Sequence, residues 1–368
     1  MNRKAVHTHI FAATRKGLVR FRRHEHSYAF EQVHFIGEPV TMLLHDTHNQ
    51  RLYAALRLGH FGPKLHRSDD NGHTWQEIAI PHLPKQDDEK AQEKGNSVDM
   101  IWSMACTAKR IWLGTIPGAL FYSDDGGDSW HLVESLWNAP ERSGWFGGGY
   151  DQPGIHSICV DPRKPERVII AISCGGVWRT EDNGHTWALS AKGLIAAYMP
   201  PELATQENTQ DPHCMVMCAA NPDVLWIQHH NGIFLSEDNA HLWKQIHGVT
   251  PSDFGFAVAV DPCNENLAWF VPGVKDECRL PKDFALCVTH TNDRGKRFNI
   301  HREGLPTEPS FDLVYRHALA ISEDGQTLAF GTTTGNLWCS SDAGKHWQTL
   351  SHTLAPINML AFVGLPRK

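Results

Sequence analysis

One eight-residue turn motif recurs six times along this 368-residue chain, and it limits the possible architectures more than any other feature. The fullest copy runs Ser68, Asp69, Asp70, Asn71, Gly72, His73, Thr74 and Trp75. The second copy carries Ser123, Asp125, Gly127 and Trp130, the third Thr180, Asp182, Gly184 and Trp187, and the sixth Ser340, Asp342, Gly344 and Trp347. The fourth (Ser236, Asp238, Ala240, Trp243) and fifth (Thr291, Asp293, Gly295, Phe298) each depart at one position. Successive central aspartates lie 55, 57, 56, 55 and 49 residues apart. A fixed period of this size marks an array of repeated supersecondary units.

The motif has a mechanical reading. A Ser or Thr hydroxyl and an Asp carboxylate can bond nearby backbone N–H groups and hold a tight turn without a partner strand. The glycine permits a backbone angle that a side chain opposes. The aromatic residue then begins the outgoing strand and buries a large ring. This pattern resembles the Asp-box, or bacterial neuraminidase (BNR) repeat, of β-propellers, and the resemblance covers almost the whole chain. It implies a fold more than an activity, because sialidases, xyloglucanases, sorting receptors and photosystem assembly factors share the box. The chain most resembles uncharacterised bacterial BNR-repeat proteins described as sialidase-like or glycosyl-hydrolase-like.

Each box is preceded by an apolar strand, a turn, a second strand ending near Gly, and a short strand that leads into the box. Segments 155–160, 168–173 and 176–179 compare in this way with 317–321, 327–331 and 335–339. With the strand after the box, every repeat has the four strands of a propeller blade. At the N-terminus, 8–13 and 17–21 match second and third strands, and Tyr28 stands where Trp belongs, but no first strand precedes them. At the other end, 357–363 reads as a first strand with nothing after it. The two fragments complete one another. The expectation is an all-β, seven-bladed propeller of four-stranded blades spanning 1–368 as one domain, closed by the C-terminal strand pairing into the N-terminal blade. Blade 1 comprises 4–34 plus 356–363. Blades 2 to 7 lie near 38–80, 98–134, 155–190, 213–247, 255–300 and 316–350. Closure removes the exposed sheet edges that an open array would leave.

Composition bounds the partners. A net charge of −7 argues against nucleic acid or an anionic membrane surface. No apolar run approaches a membrane span, and the opening residues are too short and polar for a secretory leader. Nine cysteines without paired spacing, six of them (Cys159, Cys174, Cys214, Cys218, Cys287, Cys339) in apolar strand contexts, read as reduced thiols of a cytoplasmic protein. Cys214 and Cys218 are read as packing residues rather than metal ligands. Oligomeric state is not legible.

Box-bearing links are short, whereas long links at 81–97, 134–154, 190–212 and 272–283 open on the opposite face, where functional loops gather over a rigid scaffold. The charge run 85–94 reads as a solvated face. Aligning the first strands gives a row of residues that begin them: Asn358, Thr41, Asp99, His156, His213, Phe256 and His317 in blade order. Seven innermost strands converge on the axis, so this row should ring the channel mouth. Asp99, His156, His213 and His317 are the catalytic candidates. As ligands, His156, His213 and His317 would hold a divalent transition metal such as Zn, Fe or Mn. Without a metal, His would serve as general base with Asp99 orienting it. A hydrated channel mouth also tolerates polar residues in a chain with 24 histidines. Thr41, Tyr150, His229, His230, Arg316 and Asn358 are candidate ligand contacts. Aromatic residues beside Gly147, Gly148 and Gly149, with Asp276, Glu277 and Arg279 in the 272–283 insertion, point to the same face.

Together these features suggest a hydrolase- or lyase-type enzyme, or a binder, of a small polar or carbohydrate-like molecule. The alternative is a non-catalytic interaction or assembly scaffold. Sialidase activity is disfavoured, because no Arg-Ile-Pro segment precedes the first box and the inward row holds His, Asp and Thr where arginines would be needed.

Overall fold

The computed structural model describes residues 8–25, 27–84 and 97–364. The first residues of the expected blade 1, and the charge run 85–94, lie outside the described residues. Seven antiparallel sheets form a ring. From the axis outward, blade 1 consists of Ile357–Val363, His9–Thr14, Gly17–His24 and Ser27–His34, so the C-terminal strand does close the ring. The innermost strands of blades 2 to 7 are Val40–Asp46, Met100–Cys106, Ile155–Val160, Pro212–Met217, Gly255–Asp261 and Leu319–Ile321. Blade 6 is broader than the pattern implied. Its second strand, Asn264–Lys275, also pairs with a fifth strand, Cys278–Pro281, inside the 272–283 insertion. No helix among the described residues is long and apolar enough to cross a membrane.

Burial follows the layering of blades. The second strand of blade 4, Val168–Ile172, is apolar and buried at every position, because a neighbouring blade covers each of its faces. Fourth strands of blades 2 to 7 are short and partly exposed, as with Gln76–Ile78, which blunts the outer rim against edge pairing. The larger apolar clusters sit between blades rather than within them. Trp112, Val133 and Leu136 of blade 3, for instance, share a cluster with Ile155, Val168 and Trp178 of blade 4. All nine cysteines are free thiols, and the six in apolar strand contexts are buried.

Each box proves to be a joint between neighbouring blades. Within the first box, Gly72 N–H donates to Ser68 Oγ at 2.8 Å, and Thr74 N–H donates to Asp70 Oδ1 at 2.8 Å. The same Gly-to-Ser/Thr bond recurs at Gly127, Gly184, Ala240, Gly295 and Gly344. In five of the six boxes the residue before that Gly (or Ala240) holds its carbonyl out to the preceding blade. Arg20 donates to Asn71 O, Arg67 to Gly126 O, Arg110 to Asn183 O, Arg179 to Asn239 O and Trp269 to Ala343 O.

That residue is left-handed in all six boxes, with φ between 60° at Asn239 and Arg294 and 75° at Gly126. Asn fills it three times and tolerates the region, whereas Ala343 (φ 61°) does not. Ala343→Asn is therefore expected to stabilise the protein by about 0.5–1 kcal/mol, read as a higher chemical-denaturation midpoint with unchanged slope. A lower midpoint would show that the Ala343 methyl contributes more by packing than its conformation costs.

Candidate functional site

The polar row at the channel mouth has a structural cause. Six innermost strands carry a β-bulge near their start, and the bulged residue turns out of the pleat toward the axis. The skipped positions are Asn358, Thr41, Trp102, His156 and His213, with Phe256 in the blade 6 irregularity. In blade 3 the bulged residue is thus Trp102, three positions beyond Asp99. Asp99 precedes that strand and pairs with Arg57, its Oδ2 lying 2.7 Å from Arg57 Nη2. It does not join the histidines.

Several row residues stitch blade to blade. Asn358 Nδ2 donates to Val40 O at 2.8 Å, and Thr41 Oγ1 donates to Ile101 O at 3.0 Å. His213 Nδ1 donates to Gly255 O at 2.7 Å. His317 Nε2 reaches across the channel to His156 O at 2.7 Å, which joins blade 7 to blade 4. His156 is fully buried, its Nδ1 paired with Ser157 Oγ and its Nε2 without a partner among the described residues. Burial first, with the Arg316 charge adding, holds its pKa well below the ordinary range. Burial likewise lowers His317 to about 4. The three-histidine set His156, His213 and His317 is therefore divided among separate partners.

A different set does converge. Asp211, in the residues just before the blade 5 inner strand, places Oδ2 3.6 Å from His213 Nε2 and 3.5 Å from His230 Nδ1. The ligand atoms of all three residues lie within 4.8 Å of one another. Asp211 Oδ1 meanwhile accepts from Cys174 N–H at 3.2 Å. Burial works to raise the Asp211 pKa, but the two imidazoles and Arg316 outweigh it and hold the carboxyl well below its usual range. Burial works to lower His230, yet the Asp211 carboxylate, with Asp276 and Glu277 farther off, keeps it above the ordinary value. His229 lies beneath, its ring nitrogens facing Asp211 N–H and Asn231 N–H at 3.1 Å each. Burial drives it down to about 3, so it braces the turn as a neutral ring.

Arg316 is the other unusual group. It is buried, and its guanidinium makes no hydrogen bond or ion pair with any described residue; Nε in particular is buried without a partner. It lies over Trp102 at 4.6 Å and near Phe256 at 5.7 Å, two of the bulged residues. Above it runs the glycine loop, held by Ser173 Oγ donating to Gly148 O at 2.8 Å. A Cβ on Gly147 would come within 2.1 Å of Tyr150 O, and one on Gly148 within 2.6 Å of Cys174 Sγ. The glycines thus let the loop fold onto itself and onto the Asp211 pocket. Tyr150 closes the far side, edge-on to Trp102 at 5.1 Å.

These groups line a cleft of about 1260 Å³ on the face opposite the boxes. Thr41, Tyr150, His213, His230, Arg316, His317 and Asn358 border it, together with Arg57, Trp102, Asp211, Phe256 and Arg279. Asp99, His156 and His229 are not among its lining residues. Sequence reasoning overlooked Asp211, which closes a long link and falls one step outside the strand alignment. It also passed over Trp102, an apolar residue in an apolar strand. The sequence signals for the cluster were His213 in the first-strand row and the doublet His229–His230 at a turn.

The comparisons bear on the fold. The BNR/Asp-box repeat family matches residues 121–132, which include the second box. Comparison with curated proteins gave no match. Among solved structures, a GH74 enzyme from Niastella koreensis aligns with TM-score 0.64 and 14% identity over 92% of this chain and 51% of its own. The GH74 xyloglucanase from Xanthomonas campestris aligns with TM-score 0.62 and 16% identity, over 94% of this chain and 53% of that one. This chain thus spans about half the length of those enzymes. YCF48 bound to a D1 peptide aligns with TM-score 0.54 and 14% identity over 84% of this chain and 80% of that chain. At such identities the likeness concerns the fold: a β-propeller carrying Asp-box repeats, with both enzymes and a peptide binder among similar structures.

Proposed function

We propose that this protein binds a small, negatively charged, carbohydrate-like molecule in the channel-mouth cleft and acts on it as a hydrolase- or lyase-type enzyme. Arg316 carries the reading. A guanidinium with a buried, unpartnered Nε and no carboxylate of a described residue within ion-pair distance is costly, and an anionic group on a ligand would satisfy it with a charge-assisted, bidentate pair. Tyr150, 38% exposed at the cleft, offers flat apolar surface of the kind that packs against a sugar ring, while Trp102 and Phe256 are buried beneath Arg316. Asp211 and His230 stand at the same cleft as groups able to move a proton or hold an activated water. Thr41, Asn358 and His317 are assigned to shaping the cleft, since their polar atoms already serve other blades. We place the protein in the reducing cytoplasm on its nine free thiols, with nucleic acid disfavoured as a partner by its net charge of −7.

Thermal denaturation with a panel of uronic-acid oligosaccharides and their neutral counterparts tests this. A ligand that binds the native state raises the midpoint. Acidic sugars are expected to do so at millimolar concentration, with neutral ones weaker by at least about tenfold in Kd. If neither class shifts the midpoint, the reading fails. The second reading, an assembly scaffold, is favoured by the likeness to a peptide-bound propeller. It would gain from a protein partner whose binding is unaffected by substitutions at Arg316 and Asp211.

A further inference from the structure

We propose that Asp211, His213 and His230 form a binding site for one divalent transition metal ion. The inference concerns a different residue set from the inward histidine row, with His213 alone in common, and it does not depend on what ligand the cleft takes.

Donor type is the first argument. Two imidazoles and one carboxylate on one side of an ion is a recurrent zinc and iron(II) arrangement that leaves positions open for water or substrate. The second argument is tautomer. His213 Nδ1 donates its proton to Gly255 O at 2.7 Å, so the neutral ring presents Nε2 as a lone pair, and Nε2 is the atom that faces Asp211 Oδ2. A backbone carbonyl that orients a ligating imidazole in this way is the usual outer support of a metal ligand. Asp211 is supported likewise. Its Oδ1 is engaged by Cys174 N–H, while Oδ2 is directed at both imidazoles.

The separations fit as well. Donors about 2.1 Å from a common ion lie roughly 3.0–3.4 Å apart. The Asp211 to His213 and Asp211 to His230 distances of 3.6 and 3.5 Å are slightly longer than that, and longer than good hydrogen bonds. The carboxylate thus stands slightly apart from each imidazole, and the two imidazole nitrogens lie no more than 4.8 Å from one another. Asp211 and His213 are buried and His230 is half-buried beside the cleft. Such an ion would be held from the protein side and open toward the cavity. Phe256, stacked on His213 at 4.5 Å, dries one wall. With one carboxylate in the set and Arg316 close by, the open positions would favour an anion or a hydroxide.

The test uses the full chain without a histidine tag, stripped of metal and titrated with Co²⁺ and Zn²⁺ alone. We expect one equivalent per chain and a visible Co²⁺ absorption band of low-symmetry coordination. Asp211→Asn and His213→Ala should each weaken binding by at least about a hundredfold. His230→Gln, at a half-exposed position, is the variant chosen to keep the fold, checked by its tryptophan emission, and it should lose the Co²⁺ band. His156→Ala and His317→Ala should keep it. Absence of stoichiometric metal in the wild type overturns the site, as does a His230→Gln or Asp211→Asn protein that binds normally. Loss of the band in His317→Ala with retention in His230→Gln would instead restore the inward histidine row.

Discussion

Arg316→Met is expected to remove binding of an acidic ligand while leaving the protein at least as stable as it was. Most buried ligand contacts would lose on both counts. A buried ion retains a desolvation penalty of several kcal/mol even after its surroundings relax. Arg316 offsets part of this by lying over Trp102 and Phe256, where each cation–π contact is worth about 0.5–2 kcal/mol, and by the charge of Asp211. Burial nonetheless dominates and depresses its pKa. Methionine replaces the arginine stem as far as Nε, packs well between aromatic rings and carries no charge. The net change in stability should fall between zero and a gain of about 2 kcal/mol. Affinity for an acidic sugar should drop by roughly a hundredfold, since a charge-assisted pair worth about 3 kcal/mol would be lost. Calorimetric titration and a thermal scan on one preparation read both quantities. A variant that melts well below the wild type would mean that Arg316 is a structural strut and that the cleft was not built around an anion.

Ending the chain after Pro356 should have the largest effect of all. Residues 357–363 supply the innermost strand of blade 1, and their pairing with His9–Thr14 runs from His9 opposite Val363 to Thr14 opposite Ile357. Ile357, Leu360 and Val363 are buried, and burial of each such side chain is worth about 1.5–3 kcal/mol. Asn358 ties the strand to Val40 O in blade 2, and Leu360 N–H ties it to His317 O on the blade 7 side. Removing the strand exposes one edge of the remaining blade 1 sheet and breaks the ring on both sides. The combined loss is comparable with the whole stability of a typical domain. We expect aggregation or no cooperative melting transition, and partial recovery when a synthetic peptide of residues 355–364 is supplied in excess. A truncated chain that melts within a few degrees of the intact one would refute the closure account.

The fold could be read from the chain because the repeat writes it locally. Each box keeps its hydroxyl, carboxylate and glycine within a few residues, so spacing alone counts the blades, and the orphan strands at the two ends complete one another. Six members of the channel-mouth row could be read for the same reason, but in blade 3 the alignment chose Asp99 where the bulge presents Trp102. What those residues do could not. His156, His317, Thr41 and Asn358 look equivalent in an alignment, yet backbone carbonyls freed at the bulges take up the polar atoms of His317, Thr41 and Asn358. His229 and His230 are adjacent in sequence, but one is buried as a neutral brace and the other faces the cleft.

The sequence by itself determined a closed ring of seven Asp-box blades, the face on which long loops gather, and several of the residues that border the cleft there. Only the tertiary structure decided which side chains meet. Strand alternation sets which face a residue takes, but a single bulge re-aims it, and in blade 3 that put Trp102 rather than Asp99 at the axis. The cluster of Asp211, His213 and His230 joins a link, a strand and a turn of one blade. Arg316, from the segment before blade 7, rests on rings contributed by blades 3 and 6. No spacing records such meetings, because they depend on how neighbouring blades close around an axis and not on any period within the chain.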